Sequence, residues 1–246
     1  MSDIVSVDLS SAAVAYRPAA GEQRCVPAGE VLPTALFRAA PWRTFRWYFG
    51  QRHYSGTYWS ATQRDHVIYE SRLELANLIL ADFDLSVHHI VAQPLQLSAD
   101  VDGQKRRHIP DYLWDSNAGP IVVDVVRAER MANPRIVRLC AWTKKIVESL
   151  GWSYVVLNEP VAVRIANVRF LAGYRREWLV NQDVLTDLRC RRTDLVGRSI
   201  GEAEELIEGH PRALVRSALL SMLWRREFEV NLEIPLERST VLESGS

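Results

Sequence analysis

Two carboxylates stand in apolar surroundings: Asp111 in Arg107-His108-Ile109-Pro110-Asp111-Tyr112-Leu113-Trp114, and Asp124 in Ile121-Val122-Val123-Asp124-Val125-Val126. The residues between these runs, Asp115 to Pro120, include Asn, Gly and Pro, so the pair reads as a β-hairpin. An ionised carboxylate in an apolar strand is costly without a compensating cation or hydrogen-bond donors. Two that face each other also repel. A shared hard cation relieves both problems, and oxygen donors of this kind suit Mg²⁺ or Mn²⁺. Upstream, Gln63 to Ala81 predicts a helix with Ile68, Leu75 and Ile79 as its apolar stripe. Glu70 and Glu74 would share one face of it, the ordinary situation of solvated surface charges; alternatively, Glu70 turns toward the cation held by Asp111 and Asp124. One Glu and two Asp from separate elements can hold one or two hard cations, activate a water and offset charge on a phosphoryl group. Phosphodiester hydrolysis fits that set.

Positive charge lies close by in the sequence. A hairpin turn at Asp100-Val101-Asp102-Gly103 leads directly into Lys105-Arg106-Arg107, and Arg127 and Arg130 follow the second strand. Such cations supply the ground a phosphate backbone needs, although a basic turn is also simply a solvated one. Between Pro41 and Ser60, Trp42, Phe45, Trp47, Tyr48, Phe49, Tyr54, Tyr58 and Trp59 are interleaved with Arg43, Arg46 and Arg52. These can stack on bases and grip phosphates; the plainer alternative, a strand pair turning at Ser55-Gly56 with its aromatics on the core, is favoured. His88 and His89 fall on opposite sides of a strand and do not suit one metal.

The elements that must position these groups follow from periodicity and punctuation. Residues 1 to about 40 are Ala-, Pro- and Val-rich with weak periodicity, which predicts a loosely held arm with one short helix at Val31 to Ala39. Val87 to Leu97 reads as an edge or bulged strand, because Pro94 lacks a ladder donor. Asn133-Pro134 caps a helix over Arg135 to Leu150 that stops at Gly151, and Ser153 to Leu157 is a buried strand. Strand, helix and strand at this spacing make a right-handed crossover, with the strands 121–126 and 153–157 as parallel neighbours. Three regions result: an N-terminal arm with the aromatic segment (1–60), a mixed α/β sheet flanked by helices (61–160), and a smaller, mainly helical part (161–246). In the last, arginines outnumber acids roughly two to one before Glu202 to Glu208 restores neutrality. A helix from Pro211 to Arg226 and short strands around Pro235 suggest a winged-helix arrangement.

The 246 residues carry zero formal net charge, so any polyanion site must come from local clustering. No apolar run spans a membrane, and Met1-Ser2-Asp3-Ile4 lacks a signal-peptide pattern. Cys25, Cys140 and Cys190 are scattered and have no zinc-ligand spacing, which predicts a reducing, cytoplasmic setting.

Tyr69-Glu70-Ser71, Gln93-Pro94, His108-Ile109-Pro110-Asp111-Tyr112, Val123-Asp124-Val125 and the strand after Gly151-Trp152 resemble the PD-(D/E)xK nuclease superfamily. More closely, they are similar to the TnsA-type endonuclease subunit of heteromeric transposases. The similarity spans about 60–160 well and extends more loosely through Phe170-Leu171-Ala172-Gly173-Tyr174-Arg175-Arg176. It implies a restriction-endonuclease-like fold and an Mg²⁺-dependent DNA endonuclease that cuts transposon 5′ ends. A partner transposase would handle the 3′ ends, and an ATPase regulator would join them. Glu70, Asp111 and Asp124 would be the catalytic, metal-binding carboxylates; Lys105, Arg106, Arg107, Arg127 and Arg130 would meet DNA. The motif expects Lys two residues after the second acid, and Val126 stands there. An active nuclease and a degraded homologue that binds DNA or partner subunits both follow from that departure. A restriction-type defence nuclease, built on the same core, is a third expectation.

Overall fold

The computed structural model describes residues 5–43 and 54–245, which form two units. The first contains the chain through Asp82 together with Ser86–Glu159; the second contains Phe83–Leu85 and Pro160–Ser246. Among the described residues no helix is long and apolar enough to cross a membrane.

In the first unit the order is β1 (Val7–Pro18), β2 (Arg24–Pro27), a one-turn helix α1 (Pro33–Leu36), β3 (Ala39–Ala40), β4 (Gly56–Ser60), β5 (Asp65–Tyr69) and α2 (Arg72–Phe83). Then come β6 (Val87–Ala92), β7 (Leu95–Val101), β8 (Gln104–His108), β9 (Tyr112–Ser116), β10 (Gly119–Val125), α3 (Pro134–Ser149) and β11 (Ser153–Leu157). One sheet runs β2-β1-β7-β8, with β3 added to β1; a second runs β11-β10-β9-β6. The fold is therefore mixed α/β, with antiparallel pairs and, among the described residues, one parallel pair.

That pair is the predicted crossover. Asn133 caps α3 by accepting the Arg135 N–H at 2.9 Å, Pro134 occupies the first turn, and Gly151 leaves the helix at φ +74°. β10 and β11 then run parallel in register from Ile121/Ser153 to Val125/Leu157. The main core gathers Val14, Leu95, Leu97, Leu113, Val122, Trp142 and Ile146 from strands and helix alike. Each such burial contributes about 1.5–3 kcal/mol.

Several expectations need correction. The N-terminal residues are not a loose arm: β1 pairs with β2, β3 and β7, and Val14 is fully buried. Its Ser- and Ala-rich composition hid a strand that pairs on one side with the nearby β2 and on the other with the distant β7. Gln63 to Ala81 is not one helix. Its first part is β5, hairpinned to β4 through Ala61–Arg64 and not through Ser55-Gly56, and the helix starts only at Arg72. Val67-Ile68-Tyr69 prefer an extended chain, and Ser71 and Glu74 then start the helix. Pro94 lies between two strands of different sheets, β6 and β7. Of the aromatic segment, Phe45, Trp47, Tyr48 and Phe49, with Arg46 and Arg52, lie outside the described residues.

The second unit consists of α4 (Ala162–Leu171), α5 (Gln182–Cys190), α6 (Arg192–Leu195), α7 (Ile200–Leu206), α8 (Arg212–Trp224) and the two-residue strands β12 (Phe228–Glu229) and β13 (Glu243–Ser244). The strands expected at Asn231–Pro235 and Arg238–Leu242 do not form, apart from a single Ser199–Val241 bridge. Asn167 instead ties this tail to α4, donating to Leu232 O and Ile234 O and accepting from Leu236 N–H.

Candidate active site

Asp111 immediately precedes β9, opposite Asp124 on β10, because Val123 pairs with Tyr112. One Asp111 oxygen (Oδ2) accepts the Val125 N–H at 2.7 Å. Burial pushes the Asp111 carboxyl up to about 8, and the neighbouring charges of Glu74, Asp124 and Glu70 add to that rise. A single backbone donor does not balance this repulsion.

Glu70 sits at the junction of β5 and α2, not on a helix face. Arg43 Nη1 lies 3.1 Å from one of its oxygens, and Gln93 Nε2 donates to the other at 2.6 Å. Glu74 is buried rather than solvated. It accepts the Glu70 N–H (2.8 Å) and the Ser71 hydroxyl (2.9 Å), while Ser71 Oγ accepts the Glu74 N–H. This reciprocal arrangement is a variant of the capping box. Burial raises the Glu74 carboxyl, and the Glu70 charge raises it further.

Gln93 knits the site together. Its N–H donates to Asp111 O and its own carbonyl accepts the Trp42 N–H, both at 2.9 Å. It holds φ at +47°, a conformation that costs a non-glycine residue about 1 kcal/mol. Its side-chain oxygen is buried without a hydrogen-bond partner among the described residues. A buried orphan acceptor beside acids calls for a cation or a water.

Asp124 is buried and already engaged. His108 Nε2 lies 2.8 and 2.9 Å from its two oxygens, and the Tyr154 hydroxyl donates to Oδ2 at 2.5 Å. A carboxylate only accepts, so His108 carries its proton on Nε2. Burial, with the Asp124 charge, raises the Tyr154 hydroxyl and keeps it a donor. The His108 ring meets Trp142 edge to face, with centroids 6.1 Å apart.

The parallel ladder continues unbroken past Asp124, with the Val126 N–H donating to Leu157 O at 2.8 Å. Alternation keeps Val126 on the face of Asp124, and no bulge brings Arg127 round. Among the described residues, none of Arg127, Arg130, Lys105 or Lys144 bonds to these acids, and Lys144 pairs with Glu148. Lys105, Arg106 and Arg107 lie exposed on β8; Arg127 and Arg130 lie exposed on the turn after β10. His88 and His89 bond to Asn117 Oδ1 and Phe37 O.

Sequence reasoning missed the roles of Glu74, His108 and Tyr154. The Ser71-x-x-Glu74 capping pattern was a readable sign for the first; the others depend on partners distant in the chain. As the side chains stand, no group of three His, Cys, Asp or Glu among the described residues is gathered to hold a metal. The chemistry of the donors nevertheless suits a hard cation: carboxylates with uncompensated repulsion and an orphan amide oxygen. Asp111, Glu70, Glu74 and Gln93 would offer those oxygens, and Asp124 would join by leaving His108 and Tyr154. No protein-family model matches the chain, and no curated protein matches it.

Proposed function

We propose that this protein is a metal-dependent DNA endonuclease, the subunit of a heteromeric transposase that cuts phosphodiester bonds at transposon 5′ ends. The observation that carries this reading is Asp111, a strongly desolvated carboxylate set against three other acids with, among the described residues, one backbone donor to balance it. Carboxylates are kept in such an arrangement when a cation completes it. Bound there, Mg²⁺ or Mn²⁺ would polarise the scissile phosphate and supply an activated water. The chain's own contribution is to fix the oxygens, through the Gln93 links to Asp111 and Glu70 and the Glu74 link to Glu70. The core is taken as restriction-endonuclease-like and the second unit as winged-helix-like, acting in the cytoplasm with a partner transposase and an ATPase regulator. Support for the wing is the antiparallel β12–β13 pair that follows α8.

The test combines the protein, its partner transposase and transposon-end DNA with Mg²⁺ or Mn²⁺. Cleavage is expected, and it should vanish in Asp111→Ala and in Asp124→Ala. Cutting that survives either change removes these acids from the chemistry. Calorimetric titration with Mn²⁺ should show uptake by the wild type and none by Asp111→Ala.

A second reading is favoured by a specific observation: Val126 carries no amine, and Asp124 is occupied by His108 and Tyr154. On that reading the chain is a degraded homologue that binds DNA or assembles partner subunits. It predicts binding without nicking at any metal concentration, and cleavage gained in Val126→Lys. Wild-type cleavage eliminates it.

A further inference from the structure

Between β8 and the first turns of α3 lies an open trough of about 600 Å³. Arg106 and Arg107 line it from the strand, Arg135 and Arg138 from the helix, with Trp142 at its inner wall. The chain as a whole is neutral, so four guanidinium groups around one trough are a local segregation of charge. Asp102 pairs with Arg138, and Arg106 bonds to the neutral Gln104 side chain. Among the described residues, Arg107 and Arg135 have no ion-pair partner. No acid lines the trough. Guanidinium groups that a fold leaves unpaired along a groove are suited to phosphate oxygens, which they meet in a fork geometry.

We propose that this trough seats the sugar-phosphate backbone of the nucleic acid and delivers it to the acids. Its position supports that role. Trp142 touches His108, and His108 donates to Asp124, so the trough wall is one side chain from a candidate catalytic carboxylate. Arg135 and Arg138 thereby join Arg106 and Arg107 as one surface contributed by two elements, and Arg127 and Arg130 fall outside it. The identity of the polyanion rests on the nuclease reading; the trough's affinity for phosphate does not. Direct contact of about three phosphates is expected, because Asp102 offsets one of the four cations.

The experiment is fluorescence anisotropy of a short labelled DNA duplex, with a single strand of the same sequence alongside, in EDTA so that neither metal nor cutting enters. Affinity should fall steeply with salt, with a slope near 0.9 per phosphate for the duplex and near 0.7 for the single strand. Arg107→Glu/Arg135→Glu should weaken binding by about tenfold or more and lower the slope by about two. Arg107→Lys/Arg135→Lys should retain most of the slope. Arg24→Glu, an equally exposed change on β2, should bind as the wild type does, within about twofold. The inference is overturned if the double Glu variant keeps wild-type affinity and slope, or if Arg24→Glu loses as much. Trough-dependent binding in EDTA, with no cleavage in the transposon-end assay with Mg²⁺ or Mn²⁺, sinks the nuclease reading alone; cleavage in that assay with trough-independent binding in EDTA sinks this one alone.

Discussion

Asp111 is where the residue scale decides most. Its carboxyl is pushed up to about 8 by burial and by Glu74, Asp124 and Glu70, against about 3.9 in an unfolded chain. The folded state therefore holds the proton more tightly. Below the unfolded value both states are protonated, and the folded state keeps its full stability. As pH rises from about 4 to about 8 the unfolded chain ionises freely while the folded one resists, so stability is lost across that window. Asp111→Asn keeps an acceptor for the Val125 N–H and removes the charge. It should be more stable than the wild type at pH 9, on the order of 3 kcal/mol, with a midpoint that no longer falls through that window, and it should not cut DNA. Thermal melts across pH check the first part and the transposon-end assay the second. Destabilisation by Asp111→Asn at pH 9 would show that this carboxylate is a structural hydrogen-bond acceptor and not a site held under repulsion. Asp111 and Asp124 stood out in the sequence because an acid among strand-forming residues is conspicuous in any single chain. His108 and Tyr154 were not, since their meaning comes from Asp124, 16 and 30 residues away.

At the scale of elements, the acids are placed by junctions more than by faces. Glu70 owes its position to the change from β5 to α2, and that change is held by Asp82 near the other end of the helix. Asp82 is buried and accepts four hydrogen bonds: Tyr58 Oη at 2.8 Å, Ser60 Oγ at 2.5 Å, Ala61 N at 3.0 Å and Thr62 N at 2.8 Å. It therefore clamps β4 and its turn onto α2. Asp82→Ala should destabilise the first unit by about 2–4 kcal/mol, because it leaves two buried hydroxyls and two half-buried N–H groups without their acceptor. Denaturant unfolding measures that loss, and a change below about 0.5 kcal/mol would mean that the clamp contributes little. Gly56 makes the same hairpin sensitive at the start of β4, where it faces Tyr69 of β5. A Cβ there would stand 2.5 Å from the Tyr69 hydroxyl, so Gly56→Ala should cost about 1–3 kcal/mol in the same measurement. The helix over 134–149 and its crossover to β11 were readable, because cap, proline, apolar spacing and terminal glycine all agree locally. The β5–α2 junction was misread because Ile68, Leu75 and Ile79 fit a helical stripe, and periodicity outweighed the strand preference of Val67-Ile68-Tyr69. β1 was missed for a different reason: its partners on β7 are some eighty residues away, and nothing local in a Ser- and Ala-rich run announces them.

Across the whole molecule, neutrality conceals a division of electrostatic labour between the two units. In the first, Asp111 is held against the charges of Glu74, Asp124 and Glu70; in the second, Glu227 is met by arginines. There Glu227 receives both arms of Arg189, at 2.9 and 2.7 Å, together with Arg225 Nε at 3.1 Å. The hydrogen bond from Arg189 holds the Glu227 carboxyl below its ordinary range. A lowered folded-state value carries the opposite sign to Asp111: the stabilisation is present above the unfolded value and lost as pH falls through the folded one. The two units should therefore lose stability in opposite directions, the first toward alkaline pH and the second toward acid. Glu227→Gln should cost the second unit about 1 kcal/mol at pH 7, a modest amount because the network is partly exposed. It should also flatten the decline below about pH 4.5 without altering the alkaline side. Pulse proteolysis with fragments assigned to Pro160–Ser246 reads the second unit by itself. An acid-side decline as steep in Glu227→Gln as in the wild type would place the acid sensitivity elsewhere and remove Glu227 from this role.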